Sequence, residues 1–571
     1  MNSRAFVSKN FNENLIALGF VILWIILNLI QARFTELIDD EAYYWMYSRH
    51  LNWGYFDHPP MTALLIRLGY SIFHNELGVR FIFVLMTGAT IIMIWFLLPK
   101  GLHMAKLFAM AIPAMALMHF NAAGFVATPD PPLVFFSTLF LIIYKRYLDN
   151  DHWIHIMLLS IIISAMMYTK YHAVLIIVFA IMANPPILRK RSFYITGFLV
   201  ALCFLPYVWW QIRHHFPTLS YHFVGRNNPM EFRSVYQYIL NQILVTGPVI
   251  GVILLYVTFR SKPASIFEKT LKYIAVGSFT FFLVASLKGH VEPHWTSIAF
   301  IPLLVVSLPL INRKPIMKKW FIIGAVITIP VILVVRLYLM VELFHLPVQY
   351  SRYIHDKDVW AAQVKKAAGG RPVVFRNSYQ RASLYAFYTG LPVTSRNNIF
   401  YRKNQYDIWD FESRFQGQEV LYHDWSIRNA DTLTTVHGDL VFKILNPYYS
   451  NTRIIIEPLP KSLEVKKGTF FWLECRLINP GSDPAYLNPM MGWAQTRMYT
   501  TFFGDNVRPF NYKEVVNDPE LSDIPGHSAL MVEIKVLAPL VPGRYQLRVS
   551  LGSQYLVPGL NSPPIKVRVT K

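Results

Sequence analysis

Three carboxylates in a row, Asp39, Asp40 and Glu41, follow the first apolar run of the chain (15–30) and open the string DDEAYYWMYSRHLNWGYFDHPP. The string ends on a fourth acid, Asp57, with His58 and two prolines. Carboxylates beside a bilayer are costly, so they either solvate a loop mouth or form a working site. A carboxylate placed there could take the proton of an attacking hydroxyl as general base. Histidine, lysine and arginine nearby could hold a departing phosphate by charge-assisted hydrogen bonds. Such groups recur downstream: Asp130 in TPDPP, Lys170-Tyr171-His172, Arg213-His214-His215, and the run from Lys288 to His294. Each also has a plainer reading. Asp130 could cap a helix, Lys170 and its neighbours could anchor at the interface, the Arg213 group could be solvated, and His294 could pack at a helix end. No glycine-rich phosphate loop occurs, which leaves a soluble nucleotide donor without support and favours a membrane-resident donor ending in phosphate.

The elements that must position these residues are largely membrane helices. The chain has 571 residues, 54% hydrophobic and 15% charged, with a mean hydropathy of +0.33; soluble domains carry about 25% charged residues. Apolar runs predict eleven spans, at 14–31, 80–99, 102–120, 131–148, 152–168, 171–188, 193–210, 240–259, 272–287, 295–311 and 320–341, each near the roughly 20 residues a bilayer needs. Residues 61–76 are shorter and carry Arg67, which suits a helix lying in the headgroup region. The net charge of +21 does not point to nucleic acid. Its basic clusters (Lys145-Arg146, Arg189-Lys190-Arg191, Arg260 with Lys262, Arg313-Lys314 with Lys318-Lys319) fall between spans on one side, the positive-inside pattern. The same parity puts the 39–60 loop, Asp130, Lys170 and His294 on the opposite face, with the C-terminal region. The 16-residue first run behind Arg4 and Lys9 lacks a small-x-small cleavage site and reads as a retained span. The two cysteines, Cys203 and Cys475, have neither zinc-ligand spacing nor an evident disulfide.

Three domains are expected: membrane region 1–344, α/β module 345–450 and β-sandwich 451–571. A helix closed by Gly369-Gly370, a strand at 372–375, a helix over 378–389 ended by Gly390 and a strand at 391–394 define the module. Alternating runs from Arg453 onward, divided by Gly, Pro and Asn turns, define the all-β sandwich.

Several strings resemble one known family. Asp40-Glu41 after the first span, then Asp57-His58-Pro59, is similar to the first external loop of GT-C-fold glycosyltransferases that use lipid-linked sugars. These include the dolichyl-phosphate-mannose protein mannosyltransferases and the bacterial aminoarabinose lipid A transferases. TPDPP resembles their second-loop acid and Glu292-Pro293-His294-Trp295 a motif of the bacterial branch. SYQRASLYAFYTGLP and RNNIFYRKNQYDIW resemble that branch's extracytoplasmic module. The resemblance spreads over residues 1–410 and does not reach the sandwich. It implies a GT-C-like fold and Asp40 as catalytic base, with Glu41 its companion and Asp39 the competing alignment. His58 stands where the aminoarabinose branch has a phosphate-binding lysine, and Tyr43 where it has an arginine, which weakens aminoarabinose as the sugar. Lys170 and Arg213 join His58 as expected donor-phosphate partners. Asp57, Asp130 and His294 are candidate site acids or ligands that could hold a divalent metal, no cofactor being certain. Arg396, Tyr406 and Trp409 are candidates in the soluble module.

The expected activity is transfer of one sugar, with inversion, from a polyprenyl-phosphate carrier to lipid A, lipopolysaccharide or another envelope acceptor at the periplasmic face of a bacterial inner membrane. Protein O-mannosyl transfer is the alternative enzyme. A transporter or flippase of lipid-linked sugars is the alternative class, disfavoured because charge clusters at one face and the halves do not repeat.

Overall fold

The computed structural model describes residues 2–100, 103–114, 124–218, 232–427, 429–487, 495–504, 513–517, 521–553 and 555–571. They divide into two compact units, Met1–His355 and Asp356–Lys571.

The first unit is helical and polytopic. Six helices among the described residues are long and apolar enough to cross a membrane: Asn12–Phe34, Glu76–Leu97, Arg191–Arg213, Ile266–Lys288, Pro293–Asn312 and Pro315–Met340. Burial sorts them. The stretch Pro293–Asn312 is 78% buried and runs through the centre, whereas Arg191–Arg213 is 17% buried and turns residues such as Phe198 and Leu205 outward. Outward apolar side chains are what a helix in lipid presents, its backbone being satisfied internally. The remaining expected spans also fall on helices, but on shorter, more polar or interrupted ones. Trp153–Thr169 has 17 residues, and Ala173–Ala183 stops at Asn184 before two prolines. Asp130–Asp149 carries charge in its last turn. The run expected at 102–120 forms a helix at Ala105–Ala114 and then leaves the described residues.

One expected span is corrected. Instead of a single helix over 240–259, Phe232–Thr246 and Ile250–Arg260 meet at a 101° bend. Pro248 disfavours helix in the residue before it. Gly247 there adopts φ +98°, where a Cβ would lie 2.7 Å from Ile250 Cγ1. Seven spans result if the bent pair counts as one.

The second unit joins an α/β module to a β-sandwich. In chain order its first elements are the helix Lys357–Ala368, β1 (Val373–Arg376), the helix Tyr379–Thr389 and β2 (Val393–Arg396). Gly369 and Gly390 close the two helices in left-handed conformation, and Ser378 caps the second by accepting from the Arg381 amide. β3 (Val420–His423) pairs parallel with β1 on the side away from β2; β5 (Gly438–Leu445) and β4 (Asp431–Thr435) extend the sheet antiparallel. The sandwich stacks a five-stranded sheet, in the order β10 (Lys513–Glu514), β9 (Arg497–Gly504), β12 (Gly543–Gly552), β13 (Ile565–Thr570) and β7 (Ser462–Lys466), on a three-stranded one of β11 (Ala529–Leu537), β8 (Phe470–Ile478) and β6 (Ile455–Pro458). Its core includes Leu473, Cys475, Leu477, Ile534 and Val536. Module and sandwich are hydrogen-bonded together: Arg396 donates to Ser450 Oγ (3.1 Å) and the Val557 carbonyl (2.9 Å), and the Ile399 amide donates to the Pro558 carbonyl (2.9 Å).

His423 ends β3 in the module core. Its Nδ1 lies 2.7 Å from the Val441 carbonyl, so that nitrogen carries the proton and Nε2 accepts from Arg381 at 2.9 Å. Burial, then the Arg381 charge, push its pKa from 6.5 down to about 4 against the opposing carbonyl bond. Because the folded value lies below the unfolded one, acid protonates the unfolded chain first. The second unit is expected to lose up to roughly 3 kcal/mol as pH falls from 6.5 to 4. Thermal unfolding against pH checks this; His423→Asn, which keeps a donor for Val441, should flatten that slope.

Candidate active site

Glu41 sets the geometry of this region. It lies in the first turn of the helix Asp39–Arg49 and is fully buried. Arg80, from the start of the helix Glu76–Leu97, donates Nε to Glu41 Oε1 (2.7 Å) and Nη2 to Oε2 (2.5 Å). The same carboxylate accepts from the Ala127 amide (2.7 Å) and the Ile38 amide (3.1 Å). Arg80 spends its other donors on the carbonyls of Ala32 (3.1 Å), Thr35 (2.5 Å) and Glu36 (2.8 Å). A buried carboxylate with four donors has no capacity left for proton exchange with a substrate, so Glu41 is a positioning residue, contrary to its expected companion role. Arg80 also compensates its charge, removing one of the two like charges the sequence sets beside Asp40.

The arrangement leaves Asp40 exposed and Asp39 half-exposed at the helix N-terminus, an end whose dipole favours carboxylates. The loop behind them is rigid for aromatic reasons. Tyr47 stacks on Tyr55 at 4.0 Å, Tyr43 packs against Tyr47, and the Tyr47 hydroxyl donates to Asp57 (3.4 Å). Gly54 lies flat on Trp210, where a Cβ would sit 2.5 Å from the indole. Gln211 donates to Thr218, which donates to the Tyr55 carbonyl. His58 is half-buried with Tyr44 edge-on to it.

The second loop carries the network onward. Three residues after the clamped Ala127, Asp130 is buried and receives Lys170 Nζ on both oxygens (2.9 and 3.0 Å), with Ser297 Oγ donating to Oδ1 (3.1 Å). His294 Nε2 stands 3.8 Å from Oδ2. Asp130 is the first residue of its helix rather than the N-cap, a position that Pro129 takes without a side-chain cap bond. His172 lies against Trp295 and Phe282, and Tyr171 hydrogen-bonds Tyr207. Contacts therefore link the first loop, the second loop, the 170–172 connection, the end of Arg191–Arg213 and the 293–299 turn at one end of the helix bundle.

The expected site residues fare differently. Asp39, Asp40, His58 and His294 lie in this connected end with accessible surface. Lys170 is neutralised by Asp130, so its charge belongs to the fold, which does not suit its expected role on a donor phosphate. Arg213 is exposed, its guanidinium 3.9 Å over the Trp209 ring, and the loop after it lies largely outside the described residues. Asp57 does not join Asp130 and His294; no group of three or more His, Cys, Asp or Glu that could hold a metal ion occurs among the described residues. In the second unit Arg396 is a buried tie to the sandwich, with Glu412 at 3.9 Å. Tyr406 is buried on Ser383, and Trp409 stacks on Phe411. Arg396 and Tyr406 are buried and Trp409 is half-buried. Sequence reasoning missed Arg80, although a lone arginine opening an apolar span is itself a signal of a buried partner.

Glu41→Gln should strand the Arg80 charge and cost roughly 3–5 kcal/mol. The melting temperature of the purified protein measures this, and Glu41→Met with Arg80→Met should lose less than the sum of the single changes.

Residues 57–210 match the family model of dolichyl-phosphate-mannose-protein mannosyltransferases, a stretch that includes Asp57, His58, Asp130 and Lys170 and begins after Asp39–Glu41. A curated relative, the lipid A galacturonosyltransferase RgtD of Rhizobium johnstonii, is 23% identical over 330 residues, 52% of this chain and 65% of that protein; the similarity thus spans just under two thirds of the relative's length. Among solved structures, the archaeal oligosaccharyltransferase AglB of Archaeoglobus fulgidus, in complex with an inhibitory peptide and a dolichol-phosphate, aligns with a TM-score of 0.39 at 9% identity, over 95% of this chain and 97% of that one. The apo oligosaccharyltransferase of the same organism aligns at 0.36 and 11%, over 66% and 64%. The likeness to dolichyl-phosphate-mannose-protein mannosyltransferases is thus carried by residues 57–210, the stretch that holds Asp57, His58, Asp130 and Lys170.

Proposed function

We propose that this protein moves one sugar from a polyprenyl-phosphate carrier to lipid A or a related envelope glycan, with inversion at the anomeric carbon. The observation that carries this reading is the Glu41–Arg80–Ala127 clamp, which holds an exposed carboxylate, Asp40, beside a second loop already locked to Lys170 and Ser297. The family match supports a lipid-phosphate sugar donor, and the RgtD relative favours a lipid A acceptor over protein.

In this reading Asp40 accepts the acceptor hydroxyl's proton as its oxygen attacks the sugar opposite the lipid phosphate. The phosphate leaves as an anion and needs positive charge more than a proton. With Lys170 paired internally, that charge falls to His58, Arg213 and His294. The chain crosses the membrane eleven times, the shorter apolar helices included, and places this end and its C-terminal unit in the periplasm of a bacterial inner membrane.

Asp40→Asn keeps the side chain's shape and removes the base, so transfer by purified protein should fall about 10²–10⁴-fold. A near wild-type rate with Asp39→Asn inactive would move the role to Asp39; activity in both would refute the mechanism. His58→Ala should raise the donor concentration needed for half-maximal rate, a contact loss of about 1.5–3 kcal/mol. Unchanged donor dependence would remove His58 from the site.

A further inference from the structure

The sandwich carries an apolar, basic tip that neither its core nor the proposed reaction uses. Two turns build it, the β7–β8 turn (467–469) and the β11–β12 connection (538–542). They are held side by side: the Gly468 amide donates to the Pro539 carbonyl (3.2 Å), and the Ala538 amide to the Thr469 carbonyl (2.9 Å). Leu540 is 77% exposed and Val541 65%, with Pro539 and Pro542 stiffening the connection that presents them. Phe470 and Trp472, half-exposed at the start of β8, point from the outer face of the sheet. Lys535, opposite Trp472 on β11, lies 5.1 Å from the Phe470 ring centre and 5.7 Å from that of Trp472. Lys466, Lys467 and Arg544 are exposed around them.

Polarity changes sharply along the strand. Two residues beyond Trp472, Glu474 faces Glu533 directly across β8 and β11, so the same outer face turns acidic within about 7 Å. A partner lying flat over the sheet would meet that acidic pair. A partner that takes only the tip would meet aliphatic side chains, two aromatics and lysines. That combination suits a bilayer interface: aromatic rings sit at headgroup depth, aliphatic side chains reach the acyl boundary, and each lysine near an anionic surface improves partitioning roughly fivefold. The tether adds to this. The second unit begins at Asp356, shortly after the last candidate span ends at Met340, so its local concentration at a bilayer is high and a small patch suffices.

We infer that the tip formed by Leu540, Val541, Phe470 and Trp472, flanked by Lys466 and Lys467, docks into the interface of an anionic lipid bilayer. Docking is tip-first, with Glu474 and Glu533 left in water. The inference needs only the membrane-spanning first unit and does not depend on the proposed transfer reaction.

Site-directed spin labelling of the full chain tests it. Cys203→Ser removes the exposed cysteine and leaves the buried Cys475. A nitroxide is then placed at Leu540→Cys, or at Ser482→Cys in the turn at the far end of β8. The protein is reconstituted in phosphatidylcholine bilayers with and without phosphatidylglycerol. With phosphatidylglycerol, the label at 540 should be more accessible to oxygen than to a water-soluble nickel chelate, and the label at 482 should show the reverse. Lys466→Gln with Lys467→Gln should shift the 540 label toward water. Equal nickel accessibility at 540 and 482 in anionic bilayers would overturn the inference. So would protection at 540 that appears only when a soluble glycan or a second protein is added.

Discussion

A single buried carboxylate organises one end of the helix bundle. Glu41 is removed from water on every side, and such a group is tolerable only if its charge is met and its lone pairs filled. Arg80 meets the charge and the amides of Ala127 and Ile38 complete the shell. Three chain segments distant in sequence therefore cannot move apart without exposing an unpaired ion. Arg80 in turn satisfies the carbonyls of Ala32, Thr35 and Glu36, where the first long helix ends. The clamp thus closes a helix end and opens the next helix with the same side chain.

From there constraint passes along the second loop. Ala127 is pinned, and Asp130, three residues on, brings in Lys170 and Ser297. Two ion pairs with little or no exposure, Glu41–Arg80 and Asp130–Lys170, fix backbone geometry at the cost of desolvation, while Asp39, Asp40 and His294 keep accessible surface. That division of labour explains why adjacent residues in one acidic triplet have opposite fates. In a helix Asp40 and Glu41 point about 100° apart, so one can face the packed interior while its neighbour faces outward.

Much of this was legible beforehand, for physical reasons that differ by region. The soluble helices and strands were readable because their ends are local: Ser378, Gly369 and Gly390 stop and start helices through their own backbone preferences. Asp40, Asp57 and Asp130 stood out in the sequence because acids are rare beside apolar runs. Partner choice was not readable. Which of three consecutive acids turns inward depends on an arginine 39 positions away, and Lys170 looks like a free phosphate ligand until Asp130 is placed against it. The 101° bend at Gly247-Pro248 was announced by its residues but hidden inside a run whose hydropathy alone resembles one span. Arg396 was singled out by resemblance, whereas its contacts tie the module to a sandwich the resemblance did not cover.

The central claim, that Asp40 serves transfer of a single sugar to a lipid acceptor, is tested most directly in the acceptor itself. Lipid A extracted from cells producing the wild-type protein and from cells producing Asp40→Asn at equal abundance can be compared by mass spectrometry. The expected result is a species heavier by one glycosyl residue in the wild type and missing from the variant. Identical lipid A profiles in the two strains would contradict it.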